Sequence, residues 1–198
     1  MTSQEMQQAP VSGSDLATVL ETRRSTMPDM LVAPGPSEAE LDRLLTIALR
    51  VPDHGRLAPW RIILIEGESK ARWIEQLLTL AETREDAAKS RISTRKLASA
   101  PLIAAVISSP TPGHKVPEWE QELSAGALTM NLLNGAAVLG YGANWLTGWH
   151  AYDPRATELL NLAPGEKVAG VVLIGTIAER ATERDRTTQD RVVSRLEI

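Results

Sequence analysis

Apolar residues recur along this chain at two spacings, helical and strand-like. From Ser14, the stretch SDLATVLETRRS places Leu16, Val19 and Leu20 on one helical face and closes on a pair of arginines. In APGPSEAELDRLLTIALR, the residues Leu41, Leu44, Leu45, Ala48 and Leu49 form an apolar stripe; Ser37 and Glu40 make the capping-box pattern that opens a helix, and Pro52 stops it. RIILIE then reads as a buried strand, and KARWIEQLLTLAE as another amphipathic helix. REDAAKSRISTRK has little apolar periodicity and is expected to be an exposed, largely solvated helical excursion or a lid. LIAAVISS, bracketed by Pro101 and Pro110, is a second buried strand. The segment EWEQELSAGALTMNLLNGAAVLGYG is long, and its second half is apolar nearly all round, as in a helix buried in a core or a subunit interface. A helix around ATELLNL and a strand in VAGVVLIGTI follow. The last stretch, ERATERDRTTQDRVVSRLEI, is a charged arm expected to pack across another part of the molecule or across a partner.

Helices thus bracket and separate a few buried strands without regular βαβ alternation, which predicts an α+β sandwich with helices on a central sheet. At 198 residues and 43% hydrophobic, the chain supports one substantial core. The expected organisation is a single domain over 14–198, its C-terminal arm starting at about 180, behind a loose tail over 1–13. The absence of Cys excludes disulfides, thiolate catalysis and Cys-ligated metal clusters. A net charge of −4 argues against nonspecific nucleic-acid binding, although local arginine clusters can still hold a small anion. Neither a signal-peptide pattern nor a run of ~18 apolar residues is visible, so a cytoplasmic protein with no membrane partner is expected.

Candidate chemistry begins with residues 50–60, RVPDHGRLAPW, which pack two prolines, a glycine, a histidine, two arginines and a tryptophan into one helix-to-strand link. His54, His114 and His150 form neither HxxxH nor HExxH, so no metal site is expected, and His114 and His150 read as loop residues. No GxSxG elbow points to a hydrolase. GYGANW begins like a dinucleotide fingerprint, but Trp145 stands at the third glycine and the pair follows a helix. It reads as a helix C-cap with a tight turn, or as small residues that let a flat ligand approach the backbone. Arg23 and Arg24 with Ser25 are either cations favourably placed at a helix end or an anion clamp of guanidinium forks and a hydroxyl. Arg50 and His54 are a second donor pair in a proline-stiffened loop. Two cationic clusters in a net-negative chain point to one anionic ligand with two ends.

RRS near the start, RVPDHGRLAPWRIILIEG, HKVPEWEQELSAGALTMNLLNGAAVLGYGANWLTG and KVAGVVLIGT together resemble the nitroreductase family, specifically its small NAD(P)H nitroreductase branch, from about Leu16 to Thr176. The resemblance implies a mainly antiparallel central sheet with flanking helices in an intertwined homodimer, with two FMN sites at the interface built from both chains. It implies that Arg23, Arg24 and Ser25 bind the phosphate and ribityl chain, and that Arg50 and His54 reach FMN from the partner subunit. Leu146, Thr147 and Gly148 would lie along the flavin. Ala136, Ala137, Val138, Leu139, Gly140 and Tyr141 match the segment assigned to NAD(P)H, the co-substrate. Pro28 stands where relatives often carry a further arginine, and Arg184 or Arg186 are candidates to complete the phosphate site.

The activity implied is hydride transfer from NAD(P)H through FMN to a small-molecule oxidant such as a nitroaromatic or quinone, in a ping-pong cycle with the proton drawn from solvent. No residue is then expected to act as a catalytic acid or base. Trp60 is expected to plug the entrance of its strand into the core; Trp149 and the 84–96 excursion are candidates to line or cover the pocket. A catalytically silent flavin-binding, storage or sensing relative with the same dimer fold is the other reading.

Overall fold

The computed structural model describes residues 13–198; the N-terminal tail expected over 1–13 lies, but for its last residue, outside them. The chain runs α1 (Gly13–Thr22), β1 (Leu31–Val32), α2 (Glu38–Ala48), β2 (Trp60–Glu66), α3 (Gly67–Glu82), α4 (Ala87–Arg95), β3 (Leu102–Ser108), α5 (Glu118–Val138), β4 (Gly142–Leu146), α6 (Pro154–Glu158) and β5 (Lys167–Ile177). All strand pairs are antiparallel: β2 pairs β3, β3 pairs β5, and β4 and the two-residue β1 share the other edge of β5.

Strands β3 and β5 are buried on both faces over most of their length, and their two-residue period sorts side chains between two cores. Strand β2, expected from its apolar run to be buried, is instead half-exposed because it lies at the edge of the sheet. Ile103, Ala105 and Ile107 of β3, with Val171 and Leu173 of β5, pack against Trp73, Ile74 and Leu77 of α3. Leu102, Ala104 and Val106, with Val172 and Ile174, face Leu44 and Ala48 of α2 and Leu128, Leu132 and Ala136 of α5. Helices on both faces of an antiparallel sheet are the α+β sandwich the patterning predicts.

Helix α2 opens as its sequence requires: Glu40 N–H donates to Ser37 Oγ while Ser37 N–H donates to Glu40 Oε2 at 2.9 Å. It crosses α5 closely because Gly135 has no side chain; a Cβ there would lie 2.7 Å from Leu44 Cδ1. The other side of α5 carries Trp119, Leu123 and Met130, which are exposed and spaced to share one stripe. Among the described residues, no helix is long and apolar enough to cross a membrane.

Candidate functional site

The end of α1, the end of α5 and the start of β4 enclose a cavity of about 240 Å³. Arg23, Arg24 and Thr26 form one wall, Ala137, Gly140 and Tyr141 another, and Arg180, just past β5, joins them. The turn at the end of α5 is a Schellman cap, in which Tyr141 N–H donates to Ala136 O at 2.8 Å and Gly140 N–H donates to Ala137 O at 3.1 Å. Gly140 supplies the required left-handed conformation, at φ +85°. The Tyr141 hydroxyl donates to Glu40 Oε2 at 2.8 Å, tying this turn to the capped end of α2. Burial, then the Glu40 carboxylate it serves, raises the Tyr141 pKa above the ordinary phenol value.

The arginine wall is fastened to β4. Thr26 is buried; its N–H donates to Ala143 O at 3.0 Å, and Asn144 Nδ2 donates to Thr26 O at 2.6 Å. Gly142 makes the approach possible, since a Cβ on it would lie 2.7 Å from Thr26 Oγ1 and Leu31 Cδ2 and 2.8 Å from Ile177 Cγ1. Gly142→Ala is therefore expected to cost about 1–3 kcal/mol through overpacking, read as a lower urea midpoint at unchanged slope.

Burial, and secondarily the like charge of Arg186, lowers the Arg23 pKa from its usual value; the guanidinium remains cationic at neutral pH. Arg24 Nη1 lies 3.2 Å from Glu183 Oε1 in the C-terminal arm, and Arg186 Nη2 donates to Arg23 O at 3.3 Å. The arm thus packs across its own chain at the arginine pair. Arg186, one of the two arm arginines singled out from the sequence, binds the clamp's backbone, whereas Arg180 lines the cavity itself.

The remaining site residues named from the sequence are dispersed. Ser25 is exposed beside the arginines, and Ala136 is buried in the core below them, with Leu139 packed against that core. Arg50 is exposed just past the C-terminal end of α2, ten residues from Glu40 and so roughly 15 Å along the helix from the Tyr141 turn. His54 Nδ1 lies 2.8 Å from Glu120 Oε2. One chain does not bring Arg50 and His54 to the cavity lining. Their loop is nevertheless built to hold a shape: Asp53 carboxylate oxygens accept from Leu57 N–H and Ala58 N–H at 2.9 Å, and Gly55, Arg56 and Ala58 all sit at positive φ. The two non-glycine residues cost roughly 1–3 kcal/mol each, strain that persists only where surrounding contacts enforce it. Trp60 fills the expected place, packed against the α2–α5 core with Nε1 donating to Ser124 Oγ at 3.0 Å.

Leu146 packs against the α3 core, Thr147 is exposed, and Gly148 lies where a Cβ would meet His150 Cε1 at 2.7 Å and Ser93 Oγ at 2.9 Å. His150 differs from the loop residue expected: it is 1% exposed, edge-on to Trp73 and Trp149, and neither ring nitrogen has a hydrogen-bond partner. Desolvation lowers its pKa to about 4, so the ring is neutral at pH 7. His114 is the loop residue foreseen, accepting from Val116 N–H at 3.1 Å.

The 84–96 excursion is helical and mostly exposed, as expected. Its inner face is polar: Ser90 and Thr94 are buried, and Trp149 Nε1 donates to Ser90 O at 3.1 Å and Thr94 Oγ1 at 3.2 Å. The Arg84 guanidinium stacks 4.9 Å from the Trp149 ring centroid and donates to Asp153 Oδ2 at 2.7 Å. Trp149 is thus a core anchor for α4 and does not line the arginine cavity.

Among the described residues, no three His, Asp or Glu side chains converge as metal ligands do. Thr26, Asn144, Arg180 and Glu183 are site residues that sequence reasoning missed; the only local signal was Asn144, a polar residue in an otherwise apolar strand.

The chain is similar to known proteins in both sequence and fold. The model of the nitroreductase family matches residues 20–176. The Escherichia coli K12 protein named "Putative NAD(P)H nitroreductase YdjA" is 32% identical over 164 residues, covering 82% of this chain and 88% of that protein. A Haemophilus influenzae Rd protein named "Putative NAD(P)H nitroreductase" is 34% identical over 175 residues, covering 87% and 94% respectively. Among solved structures, a nitroreductase-like family protein from Bacillus cereus superposes with a TM-score of 0.82 at 24% identity, over 96% of this chain and 100% of that one. A Bacteroides fragilis nitroreductase with bound FMN superposes with a TM-score of 0.71 at 18% identity, over 92% and 99%.

Proposed function

The chain belongs to the nitroreductase family, and from that premise we propose that it is an FMN-dependent oxidoreductase that consumes NAD(P)H and works as a homodimer. The observation that carries this reading is the convergence of Arg23, Arg24 and Arg180 on one cavity whose opposite wall is the small-residue turn at Ala137 and Gly140. Three guanidinium groups suit a phosphate dianion, which accepts several charge-assisted bonds at once. Bare backbone at Gly140 lets a planar group approach closely. When bound, FMN supplies the redox chemistry: hydride from NAD(P)H and then to a nitroaromatic, quinone or similar acceptor, in a ping-pong sequence.

The residues bind and orient. Arg23 and Arg24, with Ser25 at the rim, hold the phosphate and ribityl chain, and the Leu146–Thr147–Gly148 turn lies along the ring. Ala137, Gly140 and Tyr141, within the Ala136–Tyr141 segment assigned to NAD(P)H, line the same cavity as the arginines, so both nucleotides share one chamber. A cavity of about 240 Å³ falls short of the roughly 300–1,000 Å³ of small-molecule pockets, which supports a site completed by a second copy. Arg50 and His54 of the second copy would then reach the flavin, with the exposed α5 stripe of Trp119, Leu123 and Met130 as the surface to be covered. Tyr141 is not a proton source: its hydroxyl is committed to Glu40 and its pKa is raised. In this reading the proton that accompanies hydride to the acceptor is drawn from solvent.

The purified protein is expected to be yellow and to bleach anaerobically on addition of NADH or NADPH, followed by flavin absorbance. Colourless protein that takes up no added FMN overturns the assignment. Yellow protein that neither nucleotide reduces makes the chain a flavin-binding module instead.

A further inference from the structure

Arg24, on the cavity wall, already has an anion beside it. Glu183 Oε1 lies 3.2 Å from Arg24 Nη1 and 3.5 Å from Arg186 Nε, and accepts from Arg184 N–H at 2.9 Å. The pair is uneven, since the Arg24 side chain is 20% exposed and that of Glu183 63%. The carboxylate already stands mostly in water, so releasing it costs little, whereas the more buried guanidinium left behind needs a replacement anion. A phosphate dianion is that replacement, with more charge and more acceptor oxygens than a carboxylate. Arg23 and Arg180, which line the cavity and make no ion pair with Glu183, would engage it as well.

Resting on the FMN reading above, we propose that Glu183 is a displaceable counterion: it occupies Arg24 until a phosphate-bearing ligand exchanges for it, and so sets the affinity of the site for phosphate. The carboxylate and the phosphate repel one another if both remain, so binding requires Glu183 to turn away from Arg24. A ligand with no phosphate leaves the pair intact and does not sense Glu183.

The test is a titration of the full chain, freed of copurified flavin, with FMN and with riboflavin, following quenching of flavin fluorescence. Glu183→Gln keeps the shape and removes the charge. It is expected to tighten FMN about three- to fivefold at low ionic strength, the ceiling set by the strength of exposed ion pairs, and to leave riboflavin affinity unchanged. The gain should shrink as salt screens the pair, and should vanish in an Arg24→Ala background, where there is no guanidinium to compete for. FMN affinity that is unchanged or weaker in Glu183→Gln, while Arg24→Ala alone weakens it, overturns the counterion role and leaves the flavin assignment standing. A wild-type chain that takes up no FMN overturns both.

Discussion

Replacing Arg24 with Ala is expected to weaken FMN binding about 10- to 100-fold with little loss of fold. The size follows from removing a charge-assisted hydrogen bond to a charged group, about 1.5–3 kcal/mol. The fold is spared because the segment behind Arg24 is fastened elsewhere, through Thr26 to Ala143 and Asn144 of β4. Arg24→Lys should restore only part of the affinity, since an ammonium keeps the charge and loses the planar fork. Equilibrium titration of flavin fluorescence, paired with a urea melt of each variant, separates binding from folding. Unchanged FMN affinity in a folded Arg24→Ala protein would remove this residue from the site.

Acidification from pH 7 to pH 4 is expected to cost the folded state about 3 kcal/mol through one side chain, His150. Its pKa is about 4 in the folded protein, against about 6.5 for an unperturbed imidazole. Between these values the unfolded chain binds a proton that the folded chain refuses, so stability falls as pH falls. It is fully present above about pH 6.5 and fully lost below about pH 4. Asp153 and Glu166, each held at about 2 chiefly by hydrogen bonds from Arg155 and Arg61 respectively, have the same sign and act in a lower window, below their unfolded values near 4. Urea unfolding at pH 7, 5.5 and 4.5 should therefore show a decline that His150→Leu removes. At pH 7 that variant should be close to neutral in stability, because it replaces a ring with two unpartnered nitrogens by an apolar group of similar size. A wild-type pH profile that His150→Leu leaves unaltered would show that the ring does not titrate in this range.

His150 also shows where reading the chain alone stops. WHAYD has no strong period, and a histidine there looks like any loop histidine. Its burial comes from Trp73, far away on α3, and from Gly148, which leaves room beside it. The α4 segment is mostly exposed as its sequence suggests, but its two buried positions were not legible for a related reason. REDAAKSRISTRK lacks an apolar stripe, yet Ser90 and Thr94 face inward because Trp149 brings an N–H donor that needs acceptors. Around the 53–58 loop, the flanking Pro52 and Pro59 and the internal Gly55 announced a turn, but nothing announced that Arg56 and Ala58 would also take positive φ. The Asp53 carboxylate enforces that shape from outside the residues that bear it.

What the sequence determined by itself is what short-range physics controls. The 3.6-residue stripe of α2 with its Ser37–Glu40 cap, the apolar runs that became β2, β3 and β5, and the glycine turn after α5 each depend on neighbours within a few positions. The order of motifs along the chain determined the family. Only the tertiary structure decided that Arg23 and Arg24 face the Ala137–Tyr141 turn more than a hundred positions later, and that Glu183, 159 positions from Arg24, is the carboxylate that meets it. Such pairings leave no periodic trace, because they arise when packing the two faces of a sheet carries distant segments to one edge.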